Sequence, residues 1–245
     1  MNLIPIPPQQ QVLYNVMYEA GANFTLVAAN GGAIAVQYAG KPLWLYVDEN
    51  MARDEVRAFF CQCLEAINKP SGLITSKQAA KICADVITPV TSWELEAYYL
   101  DVLLAPKQLQ NPSPEDATLL ASWLTAFYKE ALLADYKPNQ QVVQALINSQ
   151  RLHIIKTKAS ATCAMGMYIP ITTNYARMGR LNLIYCPPLY RGLGYAKQIT
   201  AALAYKLQQQ GQLPVLYVRA NNTKAVNLYR GLGFKLAGEL TELRF

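Results

Sequence analysis

The sequence predicts a mixed α/β fold, and three features carry that expectation. Short runs rich in β-branched and aromatic residues recur along the chain, as at 152–156, 164–170 and 180–185. Stripes with the 3.6-residue helical period alternate with them, as at Leu120, Trp123, Leu124, Phe127 and Ala131. The composition, 52% hydrophobic and 16% charged over 245 residues, suffices for a sizeable core and excludes a disordered chain.

In chain order, 24–28, 33–38 and 42–47 read as strands. A helix follows over 52–67, with Val56, Phe59, Phe60, Cys63, Leu64 and Ile67 on its apolar side. Residues 72–75 lead into another helix, and 93–104 reads as a strand. Three prolines within 106–114 mark the clearest boundary, so the expected division is 1–105, a linker at 106–113, and 114–245. Ser113, Pro114 and Asp116 then form a helix start, and a second helix covers 140–148. After the strands at 152–156, 164–170 and 180–185 comes a helix over 195–209, stopped at Gly211. A strand at 215–218, a helix over 223–232 and a closing strand pair at 234–236 and 240–245 complete the chain. The order of elements in 1–105 echoes that of the second half and reads as a second, degenerate copy of the same fold.

Charge is unevenly distributed. Residues 1–110 hold 7 Lys/Arg against 10 Asp/Glu (−3), and 111–245 hold 15 against 6 (+9), which together give the net +6. A basic second half suits an anionic ligand. The chain has no clustered Lys/Arg run and no aromatic-basic signature, which argues against a nucleic-acid partner. No stretch reaches the roughly eighteen consecutive apolar residues of a membrane span, and the N-terminus lacks a signal-peptide pattern. The expectation is a soluble cytoplasmic protein. Five scattered cysteines and the single His153, in an apolar run, read as structural and make no metal site.

The most informative residues are Arg191, Gly192, Leu193, Gly194, Tyr195 and Ala196. A pyrophosphate needs several backbone N–H donors at close range and a positive helix end. Gly192 and Gly194 clear side chains from such a turn, Arg191 adds a cation, and the helix from Tyr195 points its N-terminus at the anion. There is no Gly-Lys-Ser/Thr of a P-loop, and Lys197 stands where a dinucleotide fingerprint needs glycine or alanine. Twenty-six residues beyond Ala196, Asn222 opens a segment with Ala225, Leu228, Tyr229, Gly233 and Phe234, which puts a tyrosine on the next helix.

Together, these two segments resemble the acyl-CoA site of the GNAT N-acetyltransferase superfamily. Ile184 to Tyr190, with its two prolines, resembles the lead-in to the phosphate turn in a bacterial subgroup that includes two-domain members. The resemblance covers 114–245 well and 1–105 only as a degenerate domain. It implies a splayed mixed sheet flanked by helices. The backbone of Leu183, Ile184, Tyr185 and Cys186 would pair with the pantetheine arm of acetyl-CoA. The phosphates would sit on Arg191 to Ala196, and Asn222 and Tyr229 would flank the thioester. An amine would attack the acyl carbonyl directly, with Tyr229 as proton donor to the departing thiolate and a strand amide steadying the oxyanion. No metal is implied, and the amine acceptor is not named by the sequence.

One departure bears on mechanism. Many members carry a carboxylate on the strand before the phosphate turn, whereas residues 180–185 have none. Glu130 and Glu242 are the distant alternatives, and Cys186 reads as structural rather than as an acyl carrier. The competing readings are a non-catalytic acyl-CoA-binding or interaction module, and an acyltransferase for longer acyl chains. An acceptor pocket is expected between 114–148 and 238–245, near Tyr128, Tyr136, Tyr168 and Tyr175.

Overall fold

Ten strands form one continuous sheet in the order β1-β2-β3-β4-β10-β5-β9-β8-β7-β6. The computed structural model describes residues 24–38, 42–67, 70–105, 108–131, 137–172 and 177–245. The first half runs β1 (Phe24–Ala29), β2 (Ala33–Tyr38), β3 (Leu43–Val47), α1 (Arg53–Ala66), β4 (Gly72–Ser76), α2 (Lys77–Ala84) and β5 (Thr91–Tyr99). A 3-10 turn at Pro114–Asp116 then leads into α3 (Ala117–Ala131), followed by α4 (Gln140–Asn148), β6 (Leu152–Lys156), β7 (Thr162–Thr172) and β8 (Arg177–Tyr185). A second 3-10 turn, Pro188–Tyr190, precedes α5 (Tyr195–Gln209), β9 (Leu213–Arg219), α6 (Thr223–Arg230) and β10 (Lys235–Arg244).

Local chemistry sets these boundaries. Asn30 Oδ1 accepts from the amides of Gly32 (3.0 Å) and Ala33 (2.8 Å), which turns β1 into β2. Ser76, Asn139 and Asn222 each cap a helix by accepting from the amide three residues on. All five residues of β3 are buried, which is why Leu43 to Val47 reads as an unbroken apolar run. At α5 the packing is close: a Cβ on Gly166 would lie 2.7 Å from Leu203 Cδ1, and one on Gly179 would lie 2.2 Å from Leu207 Cδ2. These two glycines let the helix settle on β7 and β8.

The strand order is its own mirror when each strand is exchanged with the one five places along. β1 to β4 correspond to β6 to β9, and β5 corresponds to β10. Each half therefore repeats three antiparallel strands, a helix, a strand parallel to the last, a second helix and a closing strand. The closing strands are exchanged. β5 pairs with β9, and β10 pairs with β4 as well as with β5. Buried clusters under α1 and α2 and under α5 and α6 share one face of the sheet. α3 and α4 cover the other face at β6, β7 and β8 through Leu120, Trp123, Val143 and Ile147.

Two sequence expectations change. The closing strand pair is instead the single strand β10, because Gly238 sits at a register slip against β5 rather than in a reversing turn. Residues 72–76, expected only as a lead-in, form the interior strand β4, hydrogen-bonded between β3 and β10. The proline-rich crossing is also attached to the sheet: the Gln110 amide donates to the Ile154 carbonyl (3.2 Å), and the Ile154 amide donates back to Gln110 (2.9 Å). Residues 106 and 107 of that crossing lie outside the described residues.

Candidate functional site

Between β8 and β9 the sheet opens. The two strands pair in parallel only through Met178, Gly179 and Arg180 opposite Leu213, Pro214 and Val215, and then part. On the other side of β8 the register with β7 slips, so Leu183 and Ile184 have no partner on either neighbouring strand. Leu183 has φ +52°, a left-handed angle that costs a branched residue about 1–2 kcal/mol. Its amide donates to Asn182 Oδ1 at 2.8 Å. The result is a wedge edged by backbone that ladder hydrogen bonds do not consume.

At the mouth of this wedge the chain runs from Cys186 through the 3-10 turn to Arg191, Gly192, Leu193 and Gly194. Gly192 and Gly194 have φ of +79° and +81°, and a Cβ on either would meet nothing within 4 Å. Gly194 is the N-cap of α5 and brings no side-chain cap. The first helical hydrogen bond runs from the Gln198 amide to the Gly194 carbonyl (3.0 Å). The amides of Tyr195, Ala196 and Lys197 therefore have no acceptor within the helix. Bare amides, an open turn and a positive helix end are the features that an anion site requires.

Arg191 is braced rather than free. Its Nε donates to the Cys186 carbonyl (2.9 Å), its Nη2 pairs with Glu130 Oε2 (2.6 Å), and its guanidinium lies 5.8 Å from the Tyr185 ring centroid. The Tyr185 hydroxyl donates to the other Glu130 oxygen at 3.4 Å. Arg191 thus ties the end of β8 to α3, and Glu130 stands beside the charge that the sequence reading had left free. Sequence reasoning missed this contact, since the partners are 61 residues apart with no local signal between them.

Tyr229 is buried on α6, with its ring edge-on to Phe234 at 5.9 Å between centroids. Burial pushes its hydroxyl up to about 12, so it stays protonated at neutral pH. Asn222 caps the same helix, its Oδ1 accepting from Ala225 N at 3.2 Å. Tyr190 and Tyr195 meet edge to face at 6.1 Å, and Leu193 is exposed beside them. Cys186 is buried, and its thiol contacts the Cys163 carbonyl at 3.4 Å. Burial raises its pKa, so it is a thiol and a poor nucleophile.

The other carboxylate considered from sequence, Glu242, is buried on β10 opposite Trp93 and is paired with Arg244 at 2.5 Å. Among the expected acceptor-pocket residues, Tyr168 stacks on His153 in the core under α5, and Tyr128 packs on Phe127. Tyr136 and Tyr175 lie outside the described residues. No helix among the described residues is long and apolar enough to cross a membrane.

This splayed sheet, with a glycine turn and a helix at its mouth, has counterparts of known structure. An acetyltransferase of the GNAT family from Colwellia psychrerythraea is similar over 100% of this chain and 98% of its own, at 17% identity and a TM-score of 0.62. A GCN5-related N-acetyltransferase from Kribbella flavida matches over 96% and 94%, at 13% identity and a TM-score of 0.63. Another from Sphaerobacter thermophilus matches over 99% and 94%, at 14% identity and a TM-score of 0.57. The chain has the GNAT fold. Residues 165–244 of this GNAT-fold protein match the family described as FR47-like protein. That span runs from β7 through β10 and contains the wedge, the glycine turn and Tyr229. No curated protein sequence matches the chain.

Proposed function

We propose that this GNAT-fold protein is an N-acetyltransferase that moves the acetyl group of acetyl-CoA directly to a primary amine. The observation that carries this reading is the β8–β9 wedge, where unpaired strand backbone leads into a side-chain-free turn and three uncommitted helix amides. On this reading residues 114–245 form the acyl-transfer unit, 106–113 the crossing, and 1–105 a degenerate partner that supplies β5.

Each residue then has a role. Gly192 to Ala196 hold the pyrophosphate through backbone N–H groups, while Arg191 with Glu130 keeps that turn in shape. The chain from Leu183 to Cys186, at the edge of the wedge, takes the pantetheine arm as an added strand. When the amine nitrogen bonds to the carbonyl carbon and the carbon–sulfur bond breaks, Tyr229 gives its hydroxyl proton to the thiolate. Its raised pKa keeps that proton available at neutral pH. No carboxylate lies on β8, and Glu130 is committed to Arg191, so the amine enters neutral, the proton its nitrogen sheds as the amide forms passes to water, and Tyr229 regains its own proton from solvent before the next turnover.

An isothermal titration with acetyl-CoA, wild type against Gly194→Asp, tests the glycine turn: binding lost in the variant supports it. With an accepted amine in hand, Tyr229→Phe should lower kcat about 10²–10⁴-fold while leaving acetyl-CoA affinity unchanged. The rate should climb with the free-amine fraction up to about pH 10, with no falling limb below it. Unchanged turnover in Tyr229→Phe removes the assignment. Binding without turnover of any amine favours an acyl-CoA-binding module, a reading to which the missing strand carboxylate also points.

A further inference from the structure

The first half of the molecule holds a wedge of its own. β3 and β4 pair in parallel only through Leu43 and Trp44 opposite Leu73 and Ile74, and then part as β8 and β9 do. A cavity of about 300 Å³ occupies the space between the end of β3, α1 and the start of α2. Three successive antiparallel pairings (β4 with β10, β10 with β5, β5 with β9) make β4 and β9 run in opposite directions. The two wedges therefore open at opposite ends of the sheet, and a ligand in one cannot reach Tyr229 from the other.

The chemistry of this wedge is inverted relative to the glycine turn. At its mouth stand Asp48, Glu49 and Asn50. Asp48 Oδ1 accepts from the Asn50 amide (2.9 Å), and Glu55 Oε2 accepts from the Ala52 amide (3.0 Å), so carboxylates of the chain itself stand on the amides just before α1. An added pyrophosphate would meet these carboxylates and be repelled. The lining combines apolar Val47, Met51, Val56, Ala79 and Ile82 with the neutral polar Ser76 and Gln78. Lys77 also lines it, but its ammonium lies 3.5 Å from Glu94 and 3.8 Å from Glu239, which offset its charge. What remains is a partly apolar pocket with a net negative rim.

We propose that this wedge is a second small-molecule site, which takes an amine with one positive charge and a compact apolar body. The ammonium meets Asp48 and Glu49, and the body fills the space against Val56 and Ala79. The site is independent of acyl transfer and stands whether or not the function above holds.

Isothermal titration of the full-length protein with 2-phenylethylamine tests it, with 2-phenylethanol and phenylacetate as neutral and anionic probes of the same shape. One amine should bind per chain, about tenfold or more tighter than either of the others. Asp48→Asn with Glu49→Gln should bring the amine down to the level of the alcohol, and Ala79→Phe should abolish binding by filling the cavity. Gly194→Asp, at the opposite wedge, should leave it intact. Equal affinity for the three probes, no amine binding, or binding lost in Gly194→Asp would each overturn the proposal. If Ala79→Phe melts early, the carboxamide pair, which adds no bulk, decides.

Discussion

His153 shows what a single buried side chain can impose on the whole. It lies on β6, 1% exposed, stacked on Tyr168 at 5.9 Å, and neither ring nitrogen has a hydrogen-bond partner among the described residues. Burial, with the charge of Lys206 behind it, lowers its pKa from 6.5 to about 4, while the Gln110 backbone acts weakly the other way. The folded pKa is therefore the depressed one. Above pH 6.5 both states are neutral at this position and stability is full. Between 6.5 and 4 the unfolded chain binds a proton that the folded chain refuses, so stability falls by up to about 3 kcal/mol. Wild type and His153→Phe should thus show urea midpoints that converge or cross as pH falls from 7 to 4.5, with the variant gaining relative stability in acid. Parallel curves would mean that the folded protein admits the proton. Through Tyr168 it packs into the cluster under α5.

At the scale of elements, α5 links packing to the candidate site, because the glycine turn is its first residue's neighbour and Leu207 its buried tail. A Cβ at position 179 would come within 2.2 Å of Leu207. Gly179→Ala should cost about 1–3 kcal/mol, seen as a lower melting temperature, and should weaken acetyl-CoA binding by displacing the helix. Adding Leu207→Ala should restore part of the affinity; an undisturbed single variant would show that Leu207 yields without moving α5. The sequence revealed this helix fully, Tyr195 to Gln209, since its glycine start, apolar stripe and Gly211 stop are all local. The tyrosine helix was legible for the same reason, read two residues beyond its end at Arg230, whereas the capping role of Asn222 was not read. What escaped depends on distant partners. Arg191 looked like a free cation because nothing near it in sequence announces Glu130. Gly238 looked like a turn because a bulge and a turn ask for the same residue, and only the neighbouring strand β5 decides between them. Leu183's left-handed angle is likewise imposed by the split register of β8, with no glycine or asparagine to signal it.

Over the whole molecule, the exchange of closing strands makes the two halves depend on each other. The sequence suggested a boundary at the prolines, with an acyl-transfer unit at 114–245. In the folded chain, the β9 edge of that unit is covered by β5, from before the prolines, between Leu95 and Tyr99. β10 is held on both sides by strands of the first half, β4 and β5. Residues 100–105 add to this, since Gln208 of α5 accepts from the Leu104 amide (3.1 Å) and donates to the Val102 carbonyl (2.7 Å). Cutting the chain at the prolines would expose the full edge of β9 and strip β10 of both neighbours, leaving long unpaired ladders that favour aggregation. Residues 114–245 expressed alone should therefore fail to give a cooperative thermal transition. Co-expressed with 1–113 as a separate chain, they should recover both the transition and acetyl-CoA binding, because the break then falls in a crossing and not in a ladder. A stable, acetyl-CoA-binding 114–245 fragment would show instead that β10 can pair with β9 directly. Exchange would then be one of two arrangements open to the same strands.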